Sequence, residues 1–224
     1  MFDMWWLAIK RRRLNVDQPA MRSFLEAPLP SANSRFGELE FLVVDLETTS
    51  LDADNGEVVS IGWVPVKSGS IQLADAEHHF SKVDAGVGQS AVIHHIRDSE
   101  LHGAASVTAI MSRFLAVAAG KVLVFHHAEL DMAFLNRLSK KLYSVPLLAP
   151  IVDTLQLERR RLLRRESALA PGVLRLHRCR QRYNLPDYPG HDALTDAIAT
   201  AELLVAWAVF SGGKRGVSLA DCLA

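Results

Sequence analysis

A continuous apolar run, Phe41-Leu42-Val43-Val44, stops abruptly at two carboxylates, Asp45 and Glu47. Glu40 to Leu46 therefore reads as a strand buried on both faces, because a half-buried strand would alternate apolar with polar residues. Side chains two residues apart on a strand share a face, so Asp45 and Glu47 converge at its carboxyl end. Their repulsion and the cost of desolvating both call for a counter-ion, and a metal answers that need. An Asp-x-Glu pair taken alone also fits a strand edge turning into solvent.

Val58 to Val66 and Ser70 to Phe80 read as two further strands around the turn Lys67-Ser68-Gly69, giving an antiparallel meander. Ser106 to Ala118 and Asp131 to Tyr143 have helical spacing, with a short apolar strand at Lys121 to Phe125 between them. A last strand within Val145 to Val152 precedes helices near Thr154 to Glu166, Pro171 to Tyr183 and Asp192 to Phe210. The order β-β-β-α-β-α-β-α-α predicts an α/β fold, with a mixed five-stranded sheet of antiparallel meander plus parallel strands flanked by helices. Residues 1–37 read as an N-terminal extension, 38–210 as the domain and 211–224 as a C-terminal tail. Within the extension, Gln18 to Glu26 reads as a short helix with Met21, Phe24 and Leu25 on one side, suited to docking on the core or on a partner, with the core favoured.

With 224 residues and 49% hydrophobic, the chain has enough apolar material for one sizeable core. No apolar run is expected to approach the roughly 20 residues of a membrane span, so no stable membrane insertion is expected. Met1 to Ile9 is apolar but is followed by Arg11, Arg12 and Arg13, the reverse of a secretory charge order, so no signal peptide is expected. Cys179 and Cys222 are the only cysteines, which suits a reducing, cytoplasmic setting. The 25 basic and 25 acidic residues cancel, yet Glu158 to Arg182 holds nine arginines against two glutamates. Such a block matches phosphate oxygens or, equally, a solvated helical face.

Two more acids follow the same logic. Asp131 lies in the first turn of the helix after the strand Val124-Phe125, where it also suits the helix dipole. Asp196 is the acid of an otherwise apolar, alanine-rich stretch whose N-cap is Asp192, leaving His191 in the preceding loop. Four carboxylates and a histidine can hold two divalent ions and activate water for phosphodiester hydrolysis. Oxygen ligands select a hard cation, Mg2+ or Mn2+, over zinc.

Together these segments resemble the DnaQ-like 3′-to-5′ exonucleases of the DEDDh type, in the ribonuclease H-like superfamily, over about residues 38–210. The strand end Asp45, Glu47, Thr48, Thr49 is similar to the family's first motif, with Ser50 in place of glycine. His126, Asp131, Phe134 and Leu135 match the second, with His127 for asparagine and Leu130 for phenylalanine. His191, Ala193, Asp196 and Ala197 match the third without departure. Ser90 to Arg97 resembles a substrate-proximal segment, with His95 for glycine, and Val152 to Leu155 a further one. The resemblance implies that Asp45 bridges two metals, Glu47 and Asp196 complete the first site, Asp131 supports the second, and His191 is the general base. Thr48 and Leu51 would hold the terminal nucleotide, with His94 and His126 also at the substrate and Arg160 and Arg164 on upstream phosphates. Single-stranded DNA or RNA 3′ ends would be the substrate, DNA favoured, and nucleoside 5′-monophosphates the product. A DNA polymerase or repair partner would bind through residues 1–37 or the tail.

Overall fold

The computed structural model describes residues 4–82, 104–165 and 167–223. Its strands are β1 (Glu40–Thr48), β2 (Val58–Lys67), β3 (Ser70–Ile71), β4 (Glu77–Phe80), β5 (Val122–Phe125) and β6 (Ile151–Asp153). The helices are α1 (Met4–Arg13), α2 (Pro19–Glu26), α3 (Val107–Ala118), α4 (Ala128–Tyr143), α5 (Thr154–Leu163), α6 (Leu176–Gln181), α7 (Ala193–Gly212) and α8 (Leu219–Leu223).

The apolar run becomes the central strand. β1 pairs antiparallel with β2 and parallel with β5, which pairs parallel with β6. β3 and β4 both pair with β2, so among the described residues the mixed sheet has six strands rather than five. The expected third strand is split in two by a 3-10 turn, Leu73–Asp75. Pro65 explains the break: its carbonyl accepts from the Gln72 N–H at 2.9 Å, but proline has no N–H to return the bond.

Alternation along β1 sorts its side chains between two cores. Leu42 and Val44 join Phe114 of α3, Leu135 of α4 and Met21 and Phe24 of α2. Phe41 and Val43 join Ala197, Ala201 and Leu204 of α7, with Leu219 and Cys222 of α8. The docking of Met21 and Phe24 agrees with expectation, and burying each is worth roughly 1.5–3 kcal/mol. An eight-residue helix such as α2 would not persist without that contact. Helix α1 was not foreseen; its buried Arg11 donates to the Phe24 and Leu25 carbonyls at the end of α2.

One expectation needs correcting. Helix α7 is 20 residues long with a mean hydropathy of 1.6, enough by length and composition to cross a membrane. Half of that stretch is buried in the protein, where its alanines let it lie close against β1 and β2.

Candidate active site

The same alternation that sends Phe41 and Val43 toward α7 sends Asp45 and Glu47 there too. A bulge between Glu47 and Thr48 then ends the regular ladder. Asp45 pairs in register with Gly62 of β2, and at Gly62 the start of α7 lies directly on the sheet. A Cβ on Gly62 would sit 2.3 Å from the Leu194 nitrogen and 2.4 Å from the Ala193 carbonyl carbon. The missing side chain thus lets the N-terminus of α7 come down beside Asp45, and Asp192 fixes that N-terminus by accepting from the Thr195 N–H at 2.8 Å. One turn in, Asp196 reaches the strand-end pair. Ligand oxygens of Asp45, Glu47 and Asp196 all lie within 4.8 Å of one another.

Asp131 is buried on α4, close enough to the strand end for its charge to act on Asp45 and for that of Glu47 to act on it. Asp153 sets the position of α4: its carboxylate accepts from the His127, Ala128 and Leu155 N–H groups at 3.0, 3.1 and 2.9 Å. It therefore caps α4 and α5 together, a role not foreseen from the sequence.

Burial, followed by the charges of Asp131, Asp196, Glu47 and Asp192, pushes Asp45 well above the ordinary carboxylate range. Burial pushes Asp131 up to about 7, with Asp153 and Glu47 adding to the effect. Asp196 is also raised by burial, against a hydrogen bond from the His191 N–H at 3.0 Å. An all-oxygen set carrying this repulsion fits a hard divalent cation. Because the folded-state pKa values are raised, the metal-free fold binds more protons than the unfolded chain. Its stability therefore falls as pH rises from the ordinary carboxylate range through about 7. At pH 8, Mg2+ at about 100 times its Kd should stabilise the fold by about 2.7 kcal/mol, a rise of roughly 5–11 °C in melting temperature. At pH 5 protons occupy part of the site and the rise should shrink; equal rises at the two pH values, by calorimetry, would exclude this site.

His191 is exposed, with φ of 70°, a left-handed turn that bends the loop back so that its N–H meets Asp196. Thr48 donates to the Ser50 carbonyl at 2.8 Å, and Leu51 stands 80% exposed beyond it. Arg137 of α4 holds this loop by donating to the Asp54 and Gly56 carbonyls. His126 has both ring nitrogens engaged, Nδ1 with the Thr154 hydroxyl at 2.8 Å and Nε2 with the Leu174 carbonyl at 2.9 Å. Burial holds its pKa down, so the neutral ring carries its proton on Nε2 and has no free nitrogen for a nucleotide. His94, with the Ser90 to Arg97 segment, lies outside the described residues.

The arginine block divides. Arg180 is buried, donating to the Ala199 and Pro186 carbonyls and to Glu202. Arg182 meets the buried Glu158 at 2.8 Å. These residues fasten α6 to α5 and α7. Arg160 and Arg164 lie with Trp207 and Gly212, at the end of α7 away from Asp196.

The profile of the family RNase_T, described as exonuclease, matches residues 42–204. The DNA polymerase III PolC-type of Thermotoga maritima is 31% identical over 176 residues, 78% of this chain and 12% of that protein. The protein of the same name from Halalkalibacterium halodurans is 31% identical over 192 residues, 84% of this chain and again 12% of that protein. The chain thus spans about an eighth of these relatives' length. Among solved structures, E. coli exonuclease I in complex with a dT13 oligonucleotide aligns with a TM-score of 0.64 at 16% identity, covering 79% of this chain and 41% of that one. Cell-death related nuclease 4 aligns with a TM-score of 0.61 at 15% identity, covering 80% and 66%.

Proposed function

The chain belongs to the exonuclease family, a nuclease hydrolysing phosphodiester bonds of nucleic acid, and from that premise we propose that it removes nucleotides one at a time from 3′ ends of single-stranded DNA. The observation carrying this reading is the convergence of Asp45, Glu47 and Asp196 within 4.8 Å, with Asp131 reaching the same strand end. Asp45, Glu47 and Asp196 would hold one Mg2+ or Mn2+, and Asp45 with Asp131 a second. When bound, such cations polarise the phosphodiester, acidify water and neutralise the leaving oxygen.

The protein's own groups do the remaining work. His191, on the exposed turn above Asp196, takes the proton of the attacking water. The loop of Thr48 and Leu51, pinned by Arg137, holds the terminal nucleotide. DNA is favoured because the sequence relatives are named DNA polymerases.

The test uses 3′- and 5′-labelled single-stranded DNA and RNA with Mg2+, Mn2+ or chelator. Stepwise loss from the 3′ end, releasing 5′-monophosphates and abolished by chelator, is expected; shortening from the 5′ end would overturn the polarity. His191→Ala should lower the single-turnover rate by about 10²–10⁴, and an unchanged rate would remove His191 from the mechanism.

The relatives' names also favour a second reading, a proofreading unit acting beside a polymerase. Trp5 and Trp6 on α1, 66% and 49% exposed, offer it a contact. Co-elution with a replicative polymerase, lost in a Trp5→Ala/Trp6→Ala variant, would support it.

A further inference from the structure

A cavity of about 550 Å³ lies at the end of α7 opposite the carboxylates. Arg35, Arg160, Arg161, Arg164 and Arg215 line it, and among the described residues Asp221 is the sole carboxylate in the lining. The fold uses part of that charge. Arg35 donates to the Arg215 carbonyl at 2.7 Å, Arg160 to the Cys222 carbonyl at 3.3 Å, and Arg161 reaches Glu158 at 3.5 Å. Asp221 is occupied locally, accepting from the Ser218 N–H at 2.8 Å and the Ser218 hydroxyl at 2.7 Å.

The rest is excess. Among the described residues, the guanidiniums of Arg164 and Arg215 have no hydrogen-bond or ion-pair partner. Burial and the adjacent Arg164 charge hold Arg160 below its ordinary pKa. Each guanidinium offers five N–H donors in a planar fork that fits phosphate oxygens. Several forks around one cavity suit a ligand with more than one phosphate.

Helix α5 joins the two ends of the molecule. Its start is capped by Asp153 beside His127, and the chain leaving it brings Arg164 to the cavity. From Asp196 to Trp207 or Ser211, α7 covers roughly 16–22 Å at 1.5 Å per residue. A stacked strand advancing 3.4 Å per nucleotide needs about five to seven nucleotides for that distance.

We propose that this arginine cavity holds phosphates of the substrate strand at least about five nucleotides upstream of the terminus bound at the carboxylates. The proposal rests on the nuclease reading, and the test keeps the two apart. Binding of labelled tetra- and dodecanucleotides is measured by anisotropy, with Ca2+ in place of Mg2+, for the wild type and an Arg164→Gln/Arg215→Gln variant. The wild type should bind the dodecamer more tightly than the tetramer, and the variant should lose that difference while keeping tetramer affinity. Losing two phosphate contacts removes about 1.4 from the salt slope, so between 50 and 200 mM salt the wild type should lose about sevenfold more dodecamer affinity than the variant.

Equal wild-type affinity for both lengths would overturn the proposal. So would an unchanged salt slope, an equal loss at both lengths, or a cavity taking inorganic pyrophosphate with no gain from strand length. Metal-dependent cleavage of the tetramer is scored separately. Its absence would count against the nuclease reading while a variant-sensitive length dependence still located the strand.

Discussion

Asp45→Asn is expected to lower turnover by at least about 10³-fold, roughly 4 kcal/mol of transition-state stabilisation, while raising the melting temperature of the metal-free protein. The two effects have one cause. Asp45 is the acid on which burial and the charges of Asp131, Asp196 and Glu47 all act. The neutral amide removes that repulsion and keeps the shape, so the fold gains about 2–4 °C for each kcal/mol relieved. It also removes one of the anionic ligands that would hold a divalent cation, and the charge such a cation would bring to the leaving oxygen goes with it. Single-turnover cleavage and calorimetry in chelator check both halves. A variant losing activity and stability together would make Asp45 a structural residue.

Gly62→Ala is expected to cost about 1–3 kcal/mol of stability and at least about 10² in rate, although no functional group is altered. The added methyl would meet backbone at 2.3 and 2.4 Å, and backbone cannot swing aside as a side chain can. The start of α7 must lift, and Asp196 moves with it, where a displacement of about 1 Å can cost 10²-fold in rate. Gly37→Ala is the control, since nothing lies within 4 Å of its added Cβ. Full activity in Gly62→Ala would mean that the helix does not set the position of the third carboxylate.

The central strand, the acids on it and the N-cap at Asp192 were legible because each obeys a local rule, whether continuous apolarity, strand alternation or side-chain capping. Gly62 was not. A glycine inside a strand signals a close approach without saying what approaches, and here it is a helix more than 130 residues away. The broken third strand follows from one missing N–H at Pro65, visible only once the pairing is known. The arginine block was legible as charge but not as to which of its members the fold itself consumes. Arg180 and Arg182 serve Glu202 and Glu158, 22 and 24 residues distant, and a charge run does not disclose its partners. Helix α1 escaped because Trp5 and Trp6 face outward, leaving only Leu7 and Arg11 buried.

The interruption at Pro65 has another effect, on what the sheet offers to other chains. β3 is two residues long and β4 four, set on either side of a proline that donates nothing, while β6 at the other margin has three. None presents a flat run of unpaired donors and acceptors long enough to template an added strand. The long pairing of β1 with β2 is enclosed in the middle of the sheet, so the most β-prone part of the sequence is the part least open to aggregation.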